Sequence, residues 1–252
     1  MPKDHGIGAS SKRREDIRFL TGRGVYTDDM ALHGQTYAVF VRSTVAHGRI
    51  KSINAKAAEA MPGVLAVFTG EDFKDVGGNP AGWLIKSRNG EAMREPKRPV
   101  LAYGKVRHVG DAYAAIIAET YNQAKDAAQQ LADDTDIEEL PAIIDMKAAV
   151  ANPANRVHDE IPDNLCFDWG WIEDNRAAVD AAFKSAPHVT TLELVNNRLV
   201  PNAMEPRASI GEYFPGTGDY KLTTTSQNPH LTRLLVAAFV MGIPENKLQV
   251  VA

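Results

Sequence analysis

The residues with the strongest claim to chemistry lie in Thr223–His230, TTTSQNPH, where an extended run ends in Gln227 just before Asn228-Pro229. Asparagine followed by proline is a helix start, one residue capping and the next preset for the first turn. The side-chain amide of Gln227 therefore stands between a strand end and a helix N-terminus, a place suited to polar or anionic ligands. A purely structural role for Gln227 in scaffolding the cap is equally open on the residues alone. A second segment, Asn197–Arg207 (NRLVPNAMEPR), is dense in polar and conformationally restricted residues. Its simpler reading is a structural loop with Glu205 and Arg207 paired across it.

Other chemistries fit poorly. The histidines fall at 5, 33, 47, 108, 158, 188 and 230, and the nearest two, 33 and 47, are 14 positions apart, so no helical or ribbon metal motif is present. Cys166 is the single cysteine. It excludes an internal disulfide and a multi-thiolate zinc or iron–sulfur site, and it reads as a partly buried, inert thiol rather than a nucleophile. The acidic run Asp133, Asp134, Asp136, Glu138, Glu139 lacks a glycine-centred calcium loop and reads as a solvated face. Gly6-Ile7-Gly8 and Gly22-Arg23-Gly24 open no helix after a strand and read as turns rather than a dinucleotide fingerprint.

These residues must be positioned by a mixed α/β framework. Strands are expected over Gln35–Arg42, Arg49–Ile53 and Val64–Phe68, with a short helix over Ala55–Met61 stopped by Pro62-Gly63. Residues 70–99, punctuated by glycine and proline around Trp83-Leu84-Ile85, read as a long surface loop, either a lid or an insertion. The run AYAAIIA (Ala112–Ala118) predicts a buried strand, Thr120–Leu131 a helix with Tyr121, Ala124, Ala128 and Leu131 on one stripe, and Ile137–Leu140 a further strand. Pro141–Trp171 reads as an extended connection. A second unit follows, with a helix capped by Asp174 and running to Ser185, and with strands at His188–Asn196, Ser209–Phe214 and Tyr220–Thr225. Pro215–Gly218 turns the last two into a hairpin. The helix begun at Pro229 carries Leu231, Leu234, Leu235, Ala238 and Phe239 on its apolar face and stops at Gly242, and Lys247–Ala252 begins a strand that should pair parallel after the crossover.

Composition agrees with a folded domain pair. Of 252 residues, 44% are hydrophobic and 24% charged, which disfavours disorder. The net charge is 28 − 32 = −4, so no basic field would hold nucleic acid or an anionic membrane. The longest apolar runs, such as Leu234–Gly242, fall short of the ~20 residues a membrane span requires. Arg13-Arg14 is followed by Glu15-Asp16 instead of an apolar segment, and a cytoplasmic location is expected. The chain ends on a strand where a loop should begin, and we expect it to be a piece of a longer polypeptide.

Five segments resemble the molybdenum hydroxylases, the xanthine dehydrogenase and aldehyde oxidase family, nearest the large subunit of the aerobic carbon monoxide dehydrogenase type. They are RREDIRFLTGRGVYTDDM (Arg13–Met30), FVRSTVAHGRIKSINAKAAEAMPGVLAVFTGEDF (Phe40–Phe73), RPVLAYGKVRHVGDAYAAIIAET (Arg98–Thr120), NNRLVPNAMEPRASIGEY (Asn196–Tyr213) and TSQNPHLTRLLVAAFVMGIPENKLQVVA (Thr225–Ala252). The resemblance implies an α+β (mixed α/β) chain: an N-terminal extension over 1–19, an α/β hammerhead domain over 20–140, an extended linker over 141–173, and the start of a molybdenum-cofactor-binding domain over 174–252. It gives Gln227 the role of hydrogen-bonding an oxygen ligand of the molybdenum, sensible for an uncharged amide that polarises without competing as a ligand.

The family's glycine-rich GGGFG segment, substrate loop and catalytic glutamate have no match here, so the resemblance implies no catalytic residue in this chain and no protein metal ligand, and a chain inactive alone. It implies a molybdenum–pterin cofactor, molybdopterin cytosine dinucleotide by likeness, with copper if the carbon monoxide type applies. One cysteine cannot carry electrons away through iron–sulfur clusters, and the implied partners are an iron–sulfur small subunit with 2Fe–2S clusters and an FAD-binding medium subunit, together with the remainder of the large subunit, in a dimer of heterotrimers. The competing readings are a non-catalytic assembly module that docks other subunits and, more remotely, an enzyme complete in these residues.

Overall fold

The computed structural model describes residues 6–170 and 175–252. After a one-turn helix α1 (Asp16–Leu20), the first unit is built on strand β5 (Ala112–Ala118). It pairs antiparallel with β1 (Tyr37–Arg42) on one side and β3 (Val64–Thr69) on the other, giving the order β1-β5-β3. A continuous apolar run suits a central strand, and Ala114, Ile116 and Ala118 are fully buried. Helix α3 (Tyr121–Asp133) lies on this sheet through Ala124, Ala127 and Ala128, small side chains that let helix and sheet approach closely, and through the larger Leu131. Its start is set by Thr120, whose hydroxyl accepts from the Gln123 amide.

The short helix α2 (Lys56–Glu59) buries Ala58 in the same core. The chain leaves α3 directly into β6 (Thr135–Glu139), the Thr135 hydroxyl donating to the Leu131 carbonyl at 2.7 Å. This strand begins earlier than its sequence signal at Ile137 suggested. It flanks β2 (Gly48–Ile53), whose other neighbour is β4 (Lys105–Val106), in a second three-stranded sheet ordered β4-β2-β6.

Residues 70–99 are tied down. Asn79 and Arg98 form a bridge with the Asn79 amide donating to the Arg98 carbonyl at 2.9 Å, and a small hairpin around Gly90 joins Lys86 to Ala92. The hairpin leans on residues 163–168 of the connection. Arg88 forms a forked pair with Asp168 and donates its amide to the Asp168 carbonyl, and Arg94 pairs with Asp163 at 2.7 Å while its amide donates to the Cys166 carbonyl. The connection is thus anchored to the first unit. It also contains helix α4 (Met146–Ala151), capped by Asp145 accepting from the Ala148 amide at 2.7 Å, where the sequence suggested only extended chain.

In the second unit, α5 (Arg176–Ser185) matches the expected helix, but the Asp174 cap lies outside the described residues, and Asn175 at the N-cap makes no side-chain cap bond. The strand expected at His188–Asn196 does not form; residues 186–207 are irregular and exposed throughout. A strand needs a partner for its backbone groups, and among the described residues none is offered. Strands β7 (Ser209–Phe214) and β8 (Asp219–Thr224) make the expected hairpin, and β9 (Leu248–Val251) adds parallel to β8, with Thr223 opposite Val251. The crossover is helix α6 (Pro229–Leu234), which continues as a π-helix over Leu235–Met241 where a plain α-helix was expected. Gly242 ends it in the left-handed conformation at φ 66°, with the Ile243 amide returning to the Ala237 carbonyl at 2.9 Å.

Candidate cofactor-binding edge

Because β8 and β9 are parallel, their C-terminal ends open on one edge, the position where α/β sheets present ligand-contacting loops. Gln227 follows β8 by three residues and is exposed on that edge. Its neighbours are all engaged. The Asn228 side chain accepts from the Leu231 amide at 3.1 Å, Ser226 Oγ accepts from the Asn228 amide at 3.1 Å and meets Thr232 Oγ1 at 3.0 Å, and Thr232 Oγ1 donates to the Asn228 carbonyl at 3.0 Å. Capping is therefore carried by Asn228, Ser226 and Thr232. The Gln227 amide has no hydrogen-bond partner among the described residues, so the cap does not depend on it. Four residues before Gln227, Thr223 in β8 is buried and its hydroxyl is likewise unpartnered among the described residues.

The structure brings the two sequence-flagged segments together. The Thr225 amide donates to the Ala208 carbonyl at 3.2 Å, and Thr225 Oγ1 lies within 3.4 Å of the Pro206 carbonyl and 3.5 Å of Glu205 Oε1. The Glu205–Arg207 pair expected from sequence is not formed among the described residues; Glu205 turns to Thr225 instead. The edge is braced from the first unit. Gly77 approaches the π-helix so closely that a Cβ there would stand 1.7 Å from the Phe239 carbonyl oxygen, and only glycine fits.

Cys166 is partly buried and lines a cavity of about 200 Å³ with His158, Asn164, Ile161 and Arg198, away from Gln227 in sequence and element. Burial, and secondarily the Arg107 charge, holds His158 below the usual histidine range. Lys105, nearly buried, donates to Asp159 at 2.7 Å and holds that carboxyl below its ordinary range. Sequence reasoning missed this polar anchor, because a lysine in a two-residue strand carries no local signal. The acidic run is spread over separate contacts: Asp133 and Asp134 accept from Gln129 and Gln130, and Glu138 pairs with Lys51 at 2.8 Å. Among the described residues no helix is long and apolar enough to cross a membrane.

The chain is a two-unit α+β protein whose second unit has a parallel strand pair, a crossover helix and a neutral amide free at the strand ends. Comparison with known proteins specifies its family. Residues 21–134 match the family model described as "Aldehyde oxidase and xanthine dehydrogenase, a/b hammerhead domain", and residues 157–252 match "Molybdopterin cofactor-binding domain". The carbon monoxide dehydrogenase large chain of Hydrogenophaga pseudoflava is 33% identical over 259 residues, covering 98% of this chain and 30% of the relative. The xanthine dehydrogenase molybdenum-binding subunit of Escherichia coli O157:H7 is 40% identical over 149 residues, 58% of this chain and 19% of the relative. Among solved structures, quinoline 2-oxidoreductase from Pseudomonas putida 86 superposes with a TM-score of 0.84 at 33% identity, over 99% of this chain and 30% of that one. The chain belongs to the molybdenum hydroxylase family of xanthine dehydrogenases and aldehyde oxidases. It spans under a third of the length of the first two of these relatives' whole chains.

Proposed function

We propose that this chain is the N-terminal part of the large, molybdenum-cofactor-binding subunit of a multi-subunit hydroxylase or dehydrogenase. The carrying observation is the exposed, unpartnered amide of Gln227 at the shared C-terminal edge of β8 and β9, inside the stretch that matches a molybdopterin-binding domain. The donor chemistry fits such a group. A neutral amide can donate to an oxygen ligand of the metal without replacing it, and with Asn228 and Ser226 committed to the cap, Gln227 is free to do so. When bound, the cofactor supplies the redox-active Lewis acid; this chain's contribution is to present and orient the amide.

The division of labour we propose is a hammerhead domain over 20–140, a linker over 141–173 and the first part of the cofactor domain over 174–252; the family matches over 21–134 and 157–252 support two such domains, the second match beginning within the proposed linker. The finer cofactor reading is molybdopterin cytosine dinucleotide here, with 2Fe–2S clusters and FAD on partner subunits, since Cys166 alone cannot hold a cluster. Copper belongs to the reading only if the substrate is carbon monoxide. Aldehydes and N-heterocycles are the other substrate classes, chosen by residues outside this chain. The active form is a dimer of heterotrimers in the cytoplasm.

The test is Gln227→Ala in the complete complex. A cofactor contact predicts a fall in turnover of about 100-fold or more, the size of losing one preorganised donor, with folding, assembly and molybdenum content retained. A scaffold role predicts the reverse, loss of assembly with the metal centre unaffected, and that result contradicts the proposal.

A further inference from the structure

We infer that residues 188–200 are an edge strand whose partner is a β-strand of the large-subunit polypeptide lying outside these 252 residues. The segment HVTTLELVNNRLV has strand composition, with β-branched and apolar residues where a surface loop would carry polar ones. Yet it is irregular, and among the described residues 188–200 make no backbone hydrogen bond with one another or with the rest of the chain. Its apolar side chains are open to solvent, from 48% exposed at Val189 and 74% at Leu192 to 91% at Val200. Helix α5, just before it, buries no residue and leaves Val179 and Phe183 exposed. A continuous apolar arm of this length is a docking surface, and unpaired strand-forming backbone is the template for strand addition.

The occupant follows from the surroundings. The arm lies within the stretch matched to the molybdopterin-binding domain, and the relatives carry that domain in chains of which this one spans 30%. A second copy pairing arm to arm would satisfy the strand and leave the apolar face of α5 uncovered. One strand-bearing partner can cover both. The inference rests on the family assignment but not on the role of Gln227, and its test needs no cofactor.

The test compares amide hydrogen exchange in the complete large subunit with that in the 252-residue chain alone, both without metal or pterin. In the isolated chain, amide hydrogens of 188–200 should exchange at close to unstructured rates. In the complete subunit they should be slower by about 100-fold or more, as ladder amides are. Val195→Pro, which deletes one N–H and is compatible with the arm's irregular state, should speed exchange of the neighbouring arm amides in the complete subunit at least about tenfold while the far-ultraviolet circular dichroism of the isolated chain stays unchanged. Two results overturn the inference: a complete subunit that leaves 188–200 unprotected, or an isolated chain that protects these amides by itself or as a dimer of copies.

Discussion

Two ionisable groups at the join between the first unit and the connection make its stability depend on pH. His158 is held below its ordinary range mainly by burial, so the folded chain binds fewer protons there than the unfolded chain. Its contribution is complete above about pH 6.5, the unfolded value, and is lost as pH falls from there through the folded value. His158→Gln should flatten that limb of a denaturation-midpoint profile below about pH 6.5, and an unchanged slope would refute the assignment. Asp159 is depressed by Lys105, so its contribution is present above about pH 4 and vanishes below. The two partners are unequal, since Lys105 is almost buried while Asp159 remains mostly in solvent. Asp159→Asn strands a buried ammonium and should cost about 1–2 kcal/mol at pH 7, whereas Lys105→Met leaves only a solvated carboxylate and should cost less. Chemical denaturation of the pair checks the order; the opposite order would place the charge balance elsewhere.

The element that sets the candidate edge is the helix from Pro229 to Met241, and it is held from across the molecule. Gly77→Ala would drive a methyl into the Phe239 carbonyl, so the loop must withdraw at a cost of about 1–3 kcal/mol. That corresponds to a melting-temperature drop of roughly 2–4 °C per kcal/mol for a chain of this size, with faster amide exchange at Ile243. Wild-type stability with unchanged exchange would show that the contact is not maintained. Elements whose signal is local were readable in advance: the Ala112–Ala118 strand, the Thr120-capped helix after it, the Pro215–Gly218 hairpin, and the Asn228-Pro229 helix with its parallel return strand. What escaped depends on distant partners. The two-residue β4 exists only because β2 lies beside it, and residues 70–99 are ordered by Asp163 and Asp168 far along the chain. Strand composition at His188–Asn196 yielded no strand because nothing pairs with it, while the π-helix and the short α4 break no rule that a residue pattern displays. At the candidate site, the position of Gln227 was legible from the helix start beside it; that Asn228, Ser226 and Thr232 close the cap without it required the structure.

At the scale of the whole molecule, a packed hammerhead unit stands beside a three-stranded sheet with an exposed arm, and the asymmetry is physical. The first unit closes its core around Ile116, Val106 and Leu131, each fully buried and each contributing roughly 1.5–3 kcal/mol. The second unit buries few apolar side chains, Ala237 and Leu248 among them, and presents its strand ends and its apolar arm outward. Such a body is suited to forming one wall of a cofactor pocket and unsuited to enclosing one. The most direct test of that claim is the molybdenum and pterin content of the complex purified with this chain and the rest of its large subunit. About one molybdenum and one pterin per large subunit is the predicted result; a stoichiometric, folded complex containing neither would contradict the account.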